Sequence, residues 1–98
     1  MAEIVWTEPA LNDLDKIAEY IAVSNLVAAK KLVKEVFAKV DILEEYPKSG
    51  KSVSELPSLN YRELYVKPCR IFYKFEDNKA FILYVMRQEQ DLRRFLLD

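Results

Sequence analysis

The chain has 98 residues, of which 51% are hydrophobic and 32% charged, and its formal net charge is −1. This composition is typical of one globular domain and differs from that of disordered chains. No apolar run is long enough to span a membrane, and the N-terminus lacks the pattern of a signal peptide. We therefore expect a single domain over residues 1–98, located in the cytoplasm.

The absence of histidine removes the side chain most often used for proton transfer at neutral pH. Cys69 is the single cysteine, which excludes an internal disulfide and fits a reducing compartment. We expect it to be a small buried residue on a strand. With this composition neither a metal site nor a cofactor is predicted.

Charge is distributed unevenly along the chain. Residues 1–45 hold 5 lysines and 9 acidic residues, whereas residues 46–98 hold 10 basic residues, including all five arginines, and 7 acidic ones. Arginine is suited to forked recognition of carboxylates and phosphates. The second half is therefore typical either of a surface that binds an anionic partner or of an ordinary solvated sheet.

A short β-prone run at residues 4–6 precedes two amphipathic helices. Residues 7–9 supply a capping hydroxyl, an acid that suits the helix dipole and a proline for the first turn. Residues 24–25 interrupt the apolar spacing and cap a second helix that extends to about Glu45. Two apolar stripes joined by a short break predict an antiparallel helical hairpin.

Three further β-prone runs, at residues 62–66, 70–75 and 80–86, follow a loop at residues 46–58. Short turns separate these runs, as in an antiparallel meander. Residues 88–97 carry apolar residues at helical spacing and predict a C-terminal helical tail. The order βααβββ, followed by the tail, predicts an α+β domain in which the helical hairpin packs on a small antiparallel sheet.

Alternation along the strands predicts two unlike sheet faces. One should pack on the helices through Leu64, Val66, Ile71, Tyr73, Phe75, Phe81, Leu83 and Val85. The other mixes basic, aromatic and apolar residues, namely Tyr65, Lys67, Arg70, Phe72, Lys74, Ile82, Tyr84 and Met86. Such a face suits a nucleic acid or a protein partner. Alternatively the tail covers it, which would make Phe72, Tyr84 and Phe95 a second small core.

The chain contains an ordered series of short motifs: Trp6-Thr7-x-x-Ala10-x-x-Asp13-Leu14-x-x-Ile17-x-x-Tyr20-Ile21, Asn25-x-x-Ala28-Ala29, Leu43-x-x-Tyr46-Pro47-x-x-Gly50, Tyr61-Arg62-Glu63-Leu64 and Arg70-Ile71-x-Tyr73. Together they closely resemble the RelE/ParE toxin superfamily of bacterial type II toxin–antitoxin modules, and ParE more than RelE. Leu26 and Cys69 depart from the family, which often has a proline and an aromatic residue there. The resemblance implies a compact βααβββ fold and a cognate antitoxin, expected to be ParD-like with a ribbon-helix-helix DNA-binding part.

RelE-like members of the superfamily cut messenger RNA in the ribosome. By resemblance, Arg62, Arg70 and Arg87 match positions that contact the phosphate. Met86 and Leu92 stand where RNA-cutting members have a histidine and a tyrosine. No general acid or base is identified, so we predict no catalytic residue.

ParE-like toxins instead act by binding DNA gyrase, without chemistry of their own. The resemblance therefore implies a gyrase inhibitor rather than an enzyme, with target-binding candidates Tyr65, Lys67, Arg70, Arg87, Arg93, Arg94 and Phe95. A messenger RNA endonuclease and an inactive relic that binds only its antitoxin stay open as alternatives. The resemblance implies DNA binding by the complex through the antitoxin, and the net charge of −1 argues against DNA binding by the free toxin. Homodimer formation is left open.

Overall fold

A computed structural model describes residues 1–88 of the chain. Its elements are β1 (Glu3–Trp6), α1 (Glu8–Ser24), α2 (Leu26–Asp41), a 3₁₀ turn (Ile42–Glu44), β2 (Lys51–Ser52), β3 (Tyr61–Val66), β4 (Cys69–Glu76) and β5 (Lys79–Arg87). The five strands form one sheet in the order β1-β5-β4-β3-β2, in which β1 pairs with β5 in parallel and the other pairs are antiparallel. The predicted α+β class is confirmed, with a parallel strand added at one edge. The predicted helical tail, from residue 89 onward, lies outside the described residues.

Side-chain caps define the helical hairpin at the predicted places. The Thr7 side chain accepts a hydrogen bond from the Ala10 amide, and the Asn25 side chain accepts one from the Ala28 amide at 2.9 Å. Each bond satisfies an amide that the first turn of a helix leaves unpaired. Neither helix in the part of the chain that the structure describes has the length and apolarity to cross a membrane.

The main core lies between the hairpin and the inner face of the sheet. It contains Ala10, Leu14, Leu32, Val36, Val40, Leu43, Leu64, Cys69, Ile71, Tyr73, Ala80, Ile82 and Val85. Burial of each large aliphatic side chain contributes roughly 1.5–3 kcal/mol, so this cluster holds the two layers together. Cys69 is fully buried on β4, as predicted.

The inner face of β5 differs from the predicted one. Ala80 and Ile82 are fully buried in the core, whereas Phe81 and Leu83 are only half-buried. The pairing of β4 with β5 shifts register here, so Leu83 is an extra residue on β5. A one-residue bulge exchanges the two faces of a strand on one side of it. The predictions that Phe81 and Leu83 face the helices and that Ile82 faces away were therefore wrong.

The start of the α1 region binds the backbone of β5 where β1 ends, at Trp6 opposite Ile82. The Thr7 hydroxyl donates to the Ile82 carbonyl at 2.6 Å and lies 3.3 Å from the Leu83 carbonyl, and the Thr7 amide also donates to Ile82 at 3.1 Å. A carboxylate oxygen of Asp13 accepts from the Val85 amide at 3.1 Å. Burial raises the pKa of Asp13 above its ordinary value, and the hydrogen bond from Val85 partly opposes this. The N-terminal part of the α1 region and this stretch of β5 therefore stabilise each other.

A second apolar cluster covers part of the outer sheet face. Phe72 and Met86 are buried there beneath Val53 of the loop between β2 and β3. Leu56 and Tyr84 pack at its edge. Of the two alternatives for this face, an open binding surface is therefore wrong for Phe72 and Met86. Phe72 belongs to a second small core, which the loop between β2 and β3 covers.

Candidate functional site

Arg70 is the centre of a polar network on the outer face of the sheet. From β4 its Nε and Nη2 donate to the two carboxylate oxygens of Glu63 on β3, at 3.0 and 2.9 Å. Its Nη1 and Nη2 donate to the two oxygens of Glu55, in the loop before β3, at 2.8 and 2.9 Å. The guanidinium also lies 4.9 Å from the centroid of the Phe72 ring. One arginine thus makes two forked ion pairs and a cation–π contact.

Electrostatic coupling holds this network in its charged form. Hydrogen bonding from Arg70 lowers the pKa of Glu55 to about 2. The carboxylates of Glu55 and Glu63 raise the pKa of Arg70 further above its already high ordinary value, against the opposing effect of burial. Glu63 is only 7% exposed, so it is the inner partner, and Glu55 is the outer partner. Two carboxylates against one guanidinium leave the cluster with a net negative charge.

The network lines an open cavity of about 600 Å³ on the outer face. The lining residues are Lys51, Ser52, Ser54, Glu55, Glu63, Tyr65, Arg70 and Gln88. Tyr65 is exposed there, and its hydroxyl donates to the side chain of Gln88. The cavity combines a small exposed aromatic surface with charges of both signs, an arrangement suited to a polar protein partner.

Arg62 lies next to Glu63 on β3, but its guanidinium bonds to the segment before β2. Its Nη1 donates to the backbone carbonyls of Lys48 and Gly50, at 3.2 and 2.7 Å. The Tyr73 hydroxyl donates to the Pro47 carbonyl and accepts from the Gly50 amide, both at 2.9 Å. A Cβ atom at Gly50 would lie 2.6 Å from the Tyr73 ring, so only glycine allows this close approach. Arg62 therefore has a structural role in fastening the segment before β2.

The remaining predicted residues are spread over the surface. Lys67 is exposed in the turn between β3 and β4. The Arg87 guanidinium, at the end of β5, lies 4.8 Å from the centroid of the Tyr20 ring on α1. Arg93, Arg94 and Phe95 lie outside the described residues. Tyr65, Lys67 and Arg70 thus meet at one end of the β3–β4 hairpin, while Arg62 serves another part of the fold.

Sequence reasoning did not identify Glu55 and Glu63 as members of the site. For Glu63, the register of β3 against β4 could have predicted the contact with Arg70. Tyr65 lies opposite Arg70, and Glu63 lies opposite Phe72, so Glu63 and Arg70 are diagonal neighbours on one face. The turn after β3 determines this register and could have revealed the pair. Glu55 gave no such signal, because it reaches Arg70 from an irregular loop.

Two of the three arginines that by resemblance match phosphate-contact positions are engaged within the protein. Arg70 is held by two carboxylates, and Arg62 by two backbone carbonyls. Residues 1–88 contain no group of three or more carboxylate or thiol side chains that could hold a metal ion.

Known proteins share both the sequence pattern and this architecture. The family model described as "ParE toxin of type II toxin-antitoxin system, parDE" matches residues 4–92. The chain is 38% identical over 68 residues to Toxin RelE2 of Caulobacter vibrioides, covering 69% of this chain and 73% of that protein.

Two solved structures have a similar fold. A chain from the structure "Chromosomal ParDE TA system from P. aeruginosa" superposes with a TM-score of 0.78 at 26% identity, covering 91% of this chain and 98% of that one. A chain of the RelBE2 toxin–antitoxin complex from Mycobacterium tuberculosis has a TM-score of 0.58 at 20% identity, covering 88% of this chain and 96% of that one, and supports the fold alone. Because the family model spans nearly the whole sequence, the superfamily resemblance is confirmed, and the chain belongs to the ParE toxin family of type II toxin–antitoxin systems.

Proposed function

We propose that this toxin inhibits DNA gyrase by binding it in the bacterial cytoplasm, without catalysing a reaction, and that a ParD-like antitoxin neutralises it. The contact surface would be the end of the β3–β4 hairpin, where Tyr65 and Lys67 are exposed beside the Arg70 network. An exposed tyrosine next to charged side chains is a common anchor in protein interfaces.

The engagement of Arg70 is the observation that carries this proposal. Its guanidinium bonds to Glu55 and Glu63, and the network as a whole is negative. A phosphate approaching Arg70 would have to displace Glu55 and would still meet the charge of Glu63. Moreover, the sequence contains no histidine to move a proton. These features favour binding over cleavage of an RNA backbone.

The antitoxin partner is proposed from the relatives. One solved neighbour is described as a ParDE toxin–antitoxin system, and the family model describes a toxin of such systems. The basic second half of the chain would attract an acidic antitoxin segment. With a net charge of −1, the toxin would bind DNA only through its antitoxin.

Messenger RNA cleavage is the second candidate, because one relative at 38% identity is named Toxin RelE2. On that view Arg62, Arg70 and Arg87 would contact the phosphate, as their matching positions in the superfamily imply. A relic that binds its antitoxin without harming the cell is the third candidate.

Two assays on the purified chain separate these candidates. We expect loss of gyrase supercoiling, or trapped cleaved DNA, while ribosome-bound messenger RNA stays intact. The reverse result would contradict the proposal in favour of cleavage, and no response in either assay would favour the relic.

Variants test the location of the binding surface. Tyr65→Ala and Lys67→Ala should each weaken gyrase inhibition by about tenfold, in the range of an interface anchor. Lys79→Ala is a matched control, because Lys79 lies after the turn between β4 and β5, at the opposite end of the hairpins. Equal effects of all three variants would contradict this location.

A further inference from the structure

The outer side of the helical hairpin carries a groove that lies apart from the proposed gyrase surface. Two adjoining cavities of about 330 and 350 Å³ share Ala18 of α1 and Val33 of α2. Every lining residue belongs to one of the two helices: Leu11, Asn12, Leu14, Asp15, Ala18, Glu19, Ala22, Leu26, Ala29, Lys30, Val33 and Phe37. The groove therefore runs along the hairpin on the side opposite to the sheet.

Much of this groove is exposed apolar surface. Leu11 is 42% exposed, Leu26 is 57% and Phe37 is 36%. Val23 and Val27, at the end of the hairpin where the helices join, are 89% and 78% exposed. A contiguous exposed apolar strip of this kind is typical of an interaction surface.

The two rims of the groove carry opposite charges. Asp15 and Glu19, one turn apart on α1, and Lys30 of α2 line the groove, and Lys34 lies one turn after Lys30 on α2. All four are exposed, and none takes part in the ion pairs formed within residues 1–88. Glu19 and Lys30 line the same cavity from opposite sides. The surface thus has an acidic rim, an apolar centre and a basic rim.

We propose that this groove binds a second copy of the chain through a two-fold axis parallel to the helices. Such an axis places α1 of one copy over α2 of its partner, which brings Glu19 close to the second copy's Lys30, and Asp15 close to its Lys34. Each contact then occurs twice, as in any isologous interface. The same chain thus supplies both complementary surfaces.

The opposite charges of the two rims also favour this two-fold axis over one that runs across the helices. A two-fold axis across the helices would place α1 over α1, and the acidic rims would repel each other. An apolar centre between complementary rims is the usual composition of a protein interface. The groove and the proposed gyrase surface lie on opposite layers of the domain, so the two proposals are independent.

Charge reversal tests the dimer with the full-length purified chain. By analytical ultracentrifugation over a range of concentrations, the wild type should dimerise, and Glu19→Lys or Lys30→Glu should each weaken dimerisation by about tenfold or more, because each change reverses two contacts. An equimolar mixture of the two variants should dimerise, because every contact between the unlike chains is complementary. The double variant should also regain self-association.

Lys39→Glu is the control, because it reverses a charge on α2 outside the groove. Circular dichroism would verify that every variant is folded. A monomeric wild type at all concentrations, or a mixture that does not associate, would overturn the proposal. If the wild type is monomeric and the reversals weaken antitoxin binding instead, the groove belongs to the antitoxin, which also overturns it. Gyrase inhibition by a monomeric variant would leave the proposed function unaffected.

Discussion

At the scale of single residues, Arg70 shows how a charge is kept on a sheet that is largely covered. Its side chain is only 14% exposed, so loss of water contacts must be offset by protein partners. Two forked carboxylates provide them, one from the neighbouring strand and one from a loop. The planar five-donor guanidinium suits this arrangement, which a lysine could not reproduce.

The two carboxylates should contribute unequally to stability. We expect Glu63→Ala to lower the free energy of unfolding by about 2–3 kcal/mol, because it leaves a poorly hydrated guanidinium short of a partner. Glu55→Ala should cost about 1 kcal/mol, since water can replace the more exposed carboxylate. Urea denaturation measures both, with Glu45→Ala, at an exposed position, as control. Equal losses at the two sites would contradict the assignment of inner and outer partners.

The same network predicts a dependence of stability on pH. The pKa of Glu55 falls from 4.5 to about 2 on folding, so the folded state favours the ionised carboxylate. Its stabilising contribution is complete above pH 4.5 and is lost as the pH falls from there towards 2. Thermal melting should show a smaller loss over this range in Glu55→Gln than in the wild type. Parallel melting profiles would argue against a pKa shift at Glu55.

At the scale of elements, the bulge in β5 decides which side chains reach the core. Before the bulge, the residues of β5 that face the core are Ala80 and Ile82. Regular alternation along the strand had predicted the larger side chains of Phe81 and Leu83 there. On its other side β5 extends past the end of β1, whose last pair is Trp6 with Ile82. There Thr7 and Asp13 of the α1 region bond to the β5 backbone, so helix and strand depend on each other.

Substitution of Asp13 tests this dependence. Asp13→Ala should lower the free energy of unfolding by about 1–3 kcal/mol, because the Val85 amide loses its acceptor. Asp13→Asn keeps an acceptor oxygen without the cost of burying a charge, and should stay within about 1 kcal/mol of the wild type. Urea denaturation gives the energies, and hydrogen exchange of the Val85 amide gives the local effect. Equal destabilisation by both variants would mean that the carboxylate charge, rather than the hydrogen bond, matters.

At the scale of the whole molecule, long-range contacts join the layers into one unit. β1 pairs with β5, Thr7 at the start of α1 bonds to β5, and the main core includes residues of both helices and three strands. Because these contacts connect the same elements, we expect the loss of one to weaken the others. This arrangement favours the predicted single domain over residues 1–98, which stays a prediction.

A single domain should unfold in one cooperative step. Trp6 of β1 packs against Phe37 of α2 with ring centroids 4.8 Å apart, so its fluorescence reports contact between the layers. Far-ultraviolet circular dichroism reports the helices and strands. We expect the two denaturation curves to coincide. A separation of their midpoints would indicate that the hairpin and the sheet unfold independently.

The order of the two helices and of β1, β3, β4 and β5, the helix caps at Thr7 and Asn25, and the resemblance to the toxin superfamily were readable from the amino-acid sequence, whereas the two-residue strand β2 was predicted as loop. Those features depend on local periodicity, on the chemistry of single residues near helix ends and on the order of short motifs, all of which are readable along the chain. Helix and strand positions were accordingly predicted closely.

Three features depend on how the elements pack: which residues of β5 face the core, which residues cover the outer face, and what Arg70 contacts. A hydrogen bond joins Thr7 to Ile82 across 75 positions, and Glu55 reaches Arg70 across 15. Contacts at such separations depend on how the elements pack. The local sequence predicts only regular alternation of side chains along a strand, and it does not reveal which distant residues an arginine contacts. Packing therefore places Arg70, which by resemblance matches a phosphate-contact position, at the centre of an ion network with Glu55 and Glu63.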